Sequence, residues 1–229
     1  MENNIYKRIE YLKQFITLRR WRLFEKVIEF RTRYITLVLE DIYQPHNASA
    51  VLRSCEVLGI QDVHIIENRN RYHVNTEVSL GAQKWLNLYK YNSQEDNTLA
   101  TINHLRSLGY RIVATTPHKN DVELKEFDLT KGKIALFFGS ELLGLTKTVL
   151  QNADEFLKIQ MYGFTESFNI SVSAAIILHY LTARLRASNL PWQLNDYEKQ
   201  LILFQWLKNS IRNSEQLLKR IDYEQKENK

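Results

Sequence analysis

Three segments of this 229-residue chain gather polar and small residues of the kind that build ligand sites. The first, residues 40–54 (EDIYQPHNASAVLRS), carries Asn47 and Arg53 behind Pro45. The second, 137–146 (FFGSELLGLT), brackets Glu141 between Gly139 and Gly144. The third, 159–175 (IQMYGFTESFNISVSAA), runs through Gly163 to Ser167, Asn169, Ser171 and Ser173. Each has a plainer explanation. Asn47 and Asn169 serve equally as helix caps, the glycines as turn residues, and the Ser/Ala run as a close helix contact. A buried arginine, carboxylate and amide spread over three such loops of one small chain point instead to a shared site.

The elements that must position these residues read as an alternation of strands and helices. ITLVLE (35–40), DVHIIE (62–67), RIVATT (111–116), KIALFF (133–138) and EFLKIQM (155–161) are buried strands, with a weaker one around Leu86–Tyr91. Helices are expected over 5–30, from Asn47 to Leu58, over 97–108, in a short turn closing over 149–154, and over 169–188. This pattern predicts an α/β fold, a mostly parallel sheet with helices on both faces. All three segments then follow strands, at the carboxyl edge where open α/β sheets bind ligands. After Pro191, the residues Leu201, Phe204, Leu207, Ile211, Leu217, Leu218 and Ile221 form one apolar helical stripe. The expected division is a basic helical arm (1–33), a central domain (34–188) and a C-terminal helical extension (189–229).

Composition removes several function classes. None of the seven glycines forms G-x-G-x-x-G, a phosphate-binding P-loop or the glycine-rich turn of the commonest methyl-donor fold. One cysteine, Cys55, cannot form an internal disulfide, and the six histidines show no metal-ligand spacing, so no metal is expected. No apolar run is long enough to span a bilayer and the N-terminus lacks a leader's apolar core, so the expected compartment is the cytoplasm, with no membrane partner. Charge is segregated. Residues 1–33 hold nine Lys/Arg against four Asp/Glu, 34–183 hold thirteen against sixteen, and 184–229 hold nine against six. Basic ends on a slightly acidic middle fit arms for a polyanion. Arg19, Arg20, Arg22, Arg31 and Arg33 surround Trp21, a combination suited to phosphate contact and base stacking. Trp21 could equally pack the arm against the rest of the protein.

The three segments carry a resemblance. Asn47, Ala50 and Arg53 match an N-x-x-A-x-x-R motif; Gly139, Glu141 and Gly144 match G-x-E-x-x-G after an apolar strand; and Ile159, Met161, Gly163, Ser167, Asn169, Ser171 and Val172 match I-P-M-x-G-x-x-x-S-L-N-V-S-V. In this order and separation they resemble the SpoU/TrmH family of the SPOUT superfamily. Residues 33–66 and the ATT stretch at 114–116 are similar to the branch that methylates guanosine-18 of the tRNA D-loop. Gln160 stands where the family has proline and Phe168 where it has leucine, and neither change removes a reactive group.

The resemblance implies methyl transfer from S-adenosyl-L-methionine to a ribose 2′-hydroxyl of tRNA. It implies a deep trefoil knot in the C-terminal part of the domain, and a homodimer with the site at the subunit interface. Thr115, Gly139, Ile159, Met161 and Phe168 would hold the cofactor, a molecule without phosphate that needs no glycine-rich turn. Arg53 would act on the 2′-hydroxyl. A guanidinium stays protonated, so it would hold a flanking phosphate and stabilise a developing alkoxide rather than act as base. Asn47 would orient Arg53, Glu141 would pair with Arg53 or fix its own loop, and Ser167 and Asn169 would shape the pocket. The basic arms would grip tRNA. The alternatives are the same chemistry at another tRNA position or on ribosomal RNA, and a non-catalytic RNA-binding module. About 34 residues before the first strand are too few for a separate RNA-binding domain, which favours tRNA.

Overall fold

The computed structural model describes residues 2–73, 75–117 and 121–227, with side chains from residue 5 to residue 220. The chain forms two compact units: Thr32–Trp192, and a second one made of both chain ends, up to Arg31 and from Gln193 onward.

Among the described residues, seven strands build the larger unit: β1 (Ile35–Glu40), β2 (Asp62–Ile66), β3 (Asn87–Tyr91), β4 (Arg111–Thr115), β5 (Val122–Glu123), β6 (Ile134–Phe138) and β7 (Glu155–Lys158). They lie in the order β3-β2-β1-β6-β4-β7-β5, with every pairing parallel. Parallel neighbours require crossovers. Here these include α3 (Pro45–Val57), the short α4 (Thr76–Ser79), α5 (Thr98–Ser107) and α6 (Lys147–Asn152), while α7 (Ile170–Arg186) follows the last strand in sequence.

Alternate residues along each central strand serve opposite faces. Leu37, Leu39, Val113, Leu136 and Phe138 join one core with Val51, Leu52 and Cys55 of α3 and Ile177, Leu178 and Leu181 of α7. Val38, Ile112, Ala114, Ala135 and Phe137 join the other with Ile102 and Leu105 of α5 and Val149 of α6. The sheet is therefore covered on both sides, which explains why its central strands are continuous apolar runs. The expected strands at 35–40, 62–67, 111–116 and 133–138 agree with β1, β2, β4 and β6 to within a residue. The last strand stops at Lys158 rather than 161, because its neighbours end there: Thr115 pairs with Leu157 and Glu123 with Lys158. The two-residue strand β5 carries no apolar run and was not anticipated.

Glu40 ends β1 as a buried carboxylate. Its Oε1 accepts from the hydroxyls of Thr98 and Thr146 at 2.8 Å each, and its Oε2 from the Thr146 N–H at 2.9 Å. Thr98 opens α5, and Thr146 caps α6. One carboxylate thus ties the starts of both helices on that face to the central strand. Burial pushes the Glu40 carboxyl above its ordinary range.

In the terminal unit, the helix expected over 5–30 is two: α1 (Glu2–Lys13) and α2 (Leu18–Ile28), the second capped by the Thr17 hydroxyl. The C-terminal stripe is also two: α8 (Asp196–Ser210), with an Asn195/Glu198 capping box, and α9 (Ser214–Glu227), separated at Asn213, which takes a positive φ of 61°. The buried residues of α8 are Ile202, Trp206 and Leu207, so Leu201 of the expected stripe faces out, while the side chain of Ile221 lies outside the described residues. The Phe24 ring meets Trp206 edge-on at 5.5 Å.

His64 of β2 is buried, its Nδ1 2.8 Å from the Tyr91 hydroxyl and its ring stacked on Tyr89. Burial, with His104 nearby as a second cause, pushes its pKa down to about 4. The unfolded chain takes up a proton below pH 6.5 that the folded chain refuses, so stability falls as pH drops from 6.5 towards 4. Between pH 7 and pH 5 this group alone should cost the fold about 2 kcal/mol. Denaturant unfolding of wild type and His64→Phe at both pH values checks it, and the variant should lose the smaller share of its stability.

Candidate functional site

The carboxyl edge of the sheet holds the site. The chain runs outward from β1 through β2 to β3, then crosses to β4 on the far side, and β6 closes the gap between β1 and β4. Such a reversal leaves a crevice beyond the strand ends. The loops after β1, β4, β6 and β7 converge on it.

The loop after β6 is closed by backbone. Ser140 and Gly144 exchange hydrogen bonds of 3.1 and 2.9 Å, and Gly144 sits at φ 67°. Gly139 lies so close to this turn that a Cβ there would stand 2.1 Å from the Gly144 carbonyl carbon. At Gly144 a Cβ would meet open space, so that glycine is needed only for its backbone angle.

Glu141, at the tip, reaches across to the start of α3. Its Oε1 accepts from Asn47 Nδ2 at 2.8 Å and from the Gln44 N–H at 3.3 Å, and its Oε2 from the Tyr43 N–H at 3.1 Å. A carboxylate only accepts, so the Asn47 amide must turn its nitrogen towards Glu141. Its Oδ1 then faces away and accepts from Asn169 Nδ2 at 3.1 Å. The Asn169 oxygen in turn accepts from the Ser171 N–H at 2.9 Å and hydroxyl at 2.7 Å, which caps α7. One directed chain of hydrogen bonds therefore joins all three segments.

Asn169 is the helix cap expected of it, and Asn47 is not. Helix α3 begins two residues earlier, at Pro45, whose fixed φ suits the first helical position, and this leaves the Asn47 side chain to Glu141 and to Gln44 Oε1 at 3.1 Å. The expected burial of Arg53 is also corrected. Ala48, Val51, Leu52 and Cys55 turn the inward face of α3 to the core, and Arg53 points to solvent, with no ion pair among the described residues. Glu141 fixes its own loop against α3 rather than pairing with Arg53.

A cavity of about 570 Å³ opens beneath this chain of bonds. Thr115, Gly139, Ile159, Met161 and Phe168 all line it, as do Glu141, Ser167 and Asn169. Arg53 and Asn47 lie outside the lining, although Asn47 bonds two residues within it. Thr115 donates its hydroxyl to the Phe137 carbonyl at 2.8 Å, tying β4 to β6 at the cavity wall. Its floor is apolar, with Leu145, Leu150, Leu157 and Ile177, and its size lies in the range of small-molecule sites. Of its lining residues Leu142 and Leu143 are largely exposed and Phe168 is 44% exposed, and Tyr162 and Phe164, in the loop that follows Met161, are almost wholly exposed. Gln44 and Tyr43 carry no side-chain signature in the sequence because their backbone N–H groups do the work, and any residue but proline supplies those.

The arginines near the N-terminus divide. Arg19, Arg20 and Arg22 are exposed on α2. Arg31 and Arg33 are not surface phosphate contacts. Arg31 is 1% exposed, its guanidinium 5.3 Å from the centre of the Trp206 ring, and Arg33 pairs with Asp62 at 2.9 Å. Trp21 is buried and donates to Glu25 at 2.7 Å, so it is a packing residue, not a base-stacking platform. Among the described residues, no group of three or more His, Cys, Asp or Glu could hold a metal ion, and no helix is long and apolar enough to cross a membrane.

A parallel α/β domain with a cavity of mixed apolar and polar lining at its topological reversal, walled by the second and third segments, has the form of a ligand-binding domain of the open α/β class. The chain belongs to the SpoU rRNA methylase family, whose sequence profile matches residues 34–179. A curated relative from Borreliella burgdorferi, named tRNA (guanosine(18)-2′-O)-methyltransferase, is 43% identical over 213 residues, 93% of this chain and 95% of its own. The solved structure of the A. aeolicus TrmH/SpoU tRNA modifying enzyme superposes with a TM-score of 0.75 at 27% identity, covering 85% of this chain and 98% of that one. The SpoU methyltransferase AviRb from Streptomyces viridochromogenes, solved in complex with the cofactor AdoMet, shares the fold with a TM-score of 0.57 at 21% identity, over 72% of this chain and 62% of that one.

The closed turn gives a direct test. Gly139→Ala forces a Cβ into backbone and should cost about 1–3 kcal/mol more than Gly144→Ala, whose only burden is a positive φ worth about 1 kcal/mol. Denaturant unfolding of the two variants measures the difference. Equal losses would mean that the close approach at Gly139 is not maintained in solution.

Proposed function

We propose that this chain transfers a methyl group from S-adenosylmethionine to the ribose 2′-hydroxyl of guanosine-18 in the tRNA D-loop. The observation that carries the reading is the cavity itself. All five residues expected to hold the cofactor line it, and the Glu141–Asn47–Asn169 chain bridges its walls. The name of the 43%-identical relative, matched over nearly its whole length, supports the substrate.

The residues present fit this cofactor. Leu145, Leu157, Ile159 and Phe168 offer apolar surface to an adenine ring, and the absence of any phosphate-binding turn suits a ligand without phosphate. When bound, the cofactor supplies an electrophilic methyl group on a sulfonium. The chain's own residues do the rest. The closed turn from Gly139 to Gly144 keeps the cavity wall rigid, and Glu141 locks that turn to α3, the helix that carries Arg53. Arg53 holds a phosphate flanking the target ribose and stabilises negative charge on the 2′-oxygen as its proton passes to an oxygen of that phosphate. Ser167 and Asn169 shape the cavity edge, with Asn169 fixing the direction of the Asn47 amide.

Arg53 stands outside the cavity lining, and large apolar side chains ring the cavity mouth uncovered. Both features support a homodimer whose second copy covers this rim and shares the site. Residues of the loops 139–145 and 159–169 line one cavity, as the family's trefoil-knotted threading, a rare exception to unknotted chains, would have them do. Arg19, Arg20 and Arg22 contact tRNA phosphates, and the activity is cytoplasmic, where its substrate is.

Methyl transfer from labelled S-adenosylmethionine to unmodified tRNA transcripts, mapped by nuclease digestion and mass spectrometry, tests the reading. Wild type should yield 2′-O-methylguanosine in the D-loop. Arg53→Ala should lower the rate about 100-fold or more while binding the cofactor as wild type does and unfolding at the same temperature, since Arg53 is exposed and off the cavity. Transfer only to ribosomal RNA fragments would keep the chemistry and overturn the substrate. No transfer to either, with RNA still bound, would leave a binding module.

A further inference from the structure

The loop after β2, Glu67–Tyr72, belongs to none of the three segments, yet it is firmly held. Asp41, just past β1, is buried in a left-handed conformation with φ 51°. Its Oδ1 accepts from the N–H groups of Asn68 and Arg69 at 2.8 Å each and of Asn70 at 3.3 Å, and its carbonyl accepts from Asn70 Nδ2 at 2.9 Å. Asn68 Nδ2 donates to Thr98 Oγ1 at 2.9 Å, and the Tyr72 N–H to Glu67 Oε1 at 2.9 Å. A left-handed backbone at a non-glycine residue costs about 1–2 kcal/mol. Three N–H groups converging on one carboxylate oxygen offset that cost.

The clamped backbone displays Arg69 and Arg71 to solvent, and among the described residues neither forms an ion pair. They are not part of a general basic surface, because residues 34–183 carry a net negative charge. The neighbouring loop after β3 holds Glu95 and Asp96, of which Asp96 accepts the Thr98 N–H at 2.9 Å. Strand β2 lies beside β1, so the arginine loop stands at the same carboxyl edge as Asn47, on the flank away from the cavity. Two guanidinium forks on a rigid loop match phosphate geometry, and little ordering entropy is lost when they bind.

The geometry points to Arg69 and Arg71 as a phosphate-binding pair that holds the RNA backbone running away from the target ribose over the β2 flank. This rests on the RNA methyltransferase reading above. The experiment measures binding of an unmodified tRNA transcript to the full chain by fluorescence anisotropy across a salt series. The variants are Arg69→Gln/Arg71→Gln, Arg69→Lys/Arg71→Lys and, as a charge-matched control away from this loop, Lys125→Gln/Lys131→Gln. For the glutamine pair, Kd near physiological salt should rise about 10-fold and the slope of log K against log salt should flatten by about 1.5. Its KM for tRNA should rise, while kcat at saturating tRNA and cofactor affinity stay at wild-type values. The lysine pair should keep the wild-type slope, and the control should change it little. A glutamine pair with wild-type affinity and slope, in an enzyme whose wild type binds and methylates tRNA, overturns this inference alone. So does a control that flattens the slope equally. Wild type that neither binds nor methylates tRNA overturns this inference and the functional reading together.

Discussion

The site depends on the acceptor-only character of one carboxylate. Glu141 can take hydrogen bonds but give none, so the Asn47 amide has one permitted orientation, and so in turn has the Asn169 amide. Three loops that follow three different strands are thereby held in one arrangement. A neutral amide at position 141 would set its NH2 against the backbone N–H of either Tyr43 or Gln44, and only a carboxylate accepts at both places. At the other end the Ser171 backbone N–H fixes the Asn169 amide in the matching sense, so the chain of bonds has one direction throughout.

What brings the three loops together is the sheet. A parallel sheet must bury both faces, and crossover helices are the means. With β6 inserted between β1 and β4, the chain reverses its direction of growth in the middle of the sheet, and the loops on either side of that point diverge. The space left is the cavity. Glu40 serves the same edge from beneath, anchoring the starts of α5 and α6 to the central strand through two threonines. Burial raises the carboxyl pKa, and the three donors that meet the carboxylate offset part of that rise by favouring its charged form.

Basic residues are used in two ways. Arg31 and Arg33 work inside the protein, on Trp206 and Asp62, and their charge is unavailable to a ligand. Arg19, Arg20, Arg22, Arg53, Arg69 and Arg71 remain at the surface. The two groups are indistinguishable in composition, since both contribute to the same net charge, and only packing separates a structural cation from a ligand-facing one.

The layer architecture and the position of the site were legible in the residue pattern alone. Continuous apolar strands alternating with amphipathic segments mark a sheet buried on both faces, and that pattern is local, so strands β1, β2, β4 and β6 were legible almost to the residue. The three polar segments were legible too, since helix breakers and glycines announce a loop after each strand. The remaining features depend on contacts between distant parts of the chain. Whether Asn47 caps a helix or bonds Glu141 turns on a residue 94 positions away. The end of β7 was fixed by where β4 and β5 stop, and the contributions of Tyr43 and Gln44 came from backbone groups that carry no side-chain signature. Such partners are set by the folded path of the chain, and periodicity along the sequence holds no information about them.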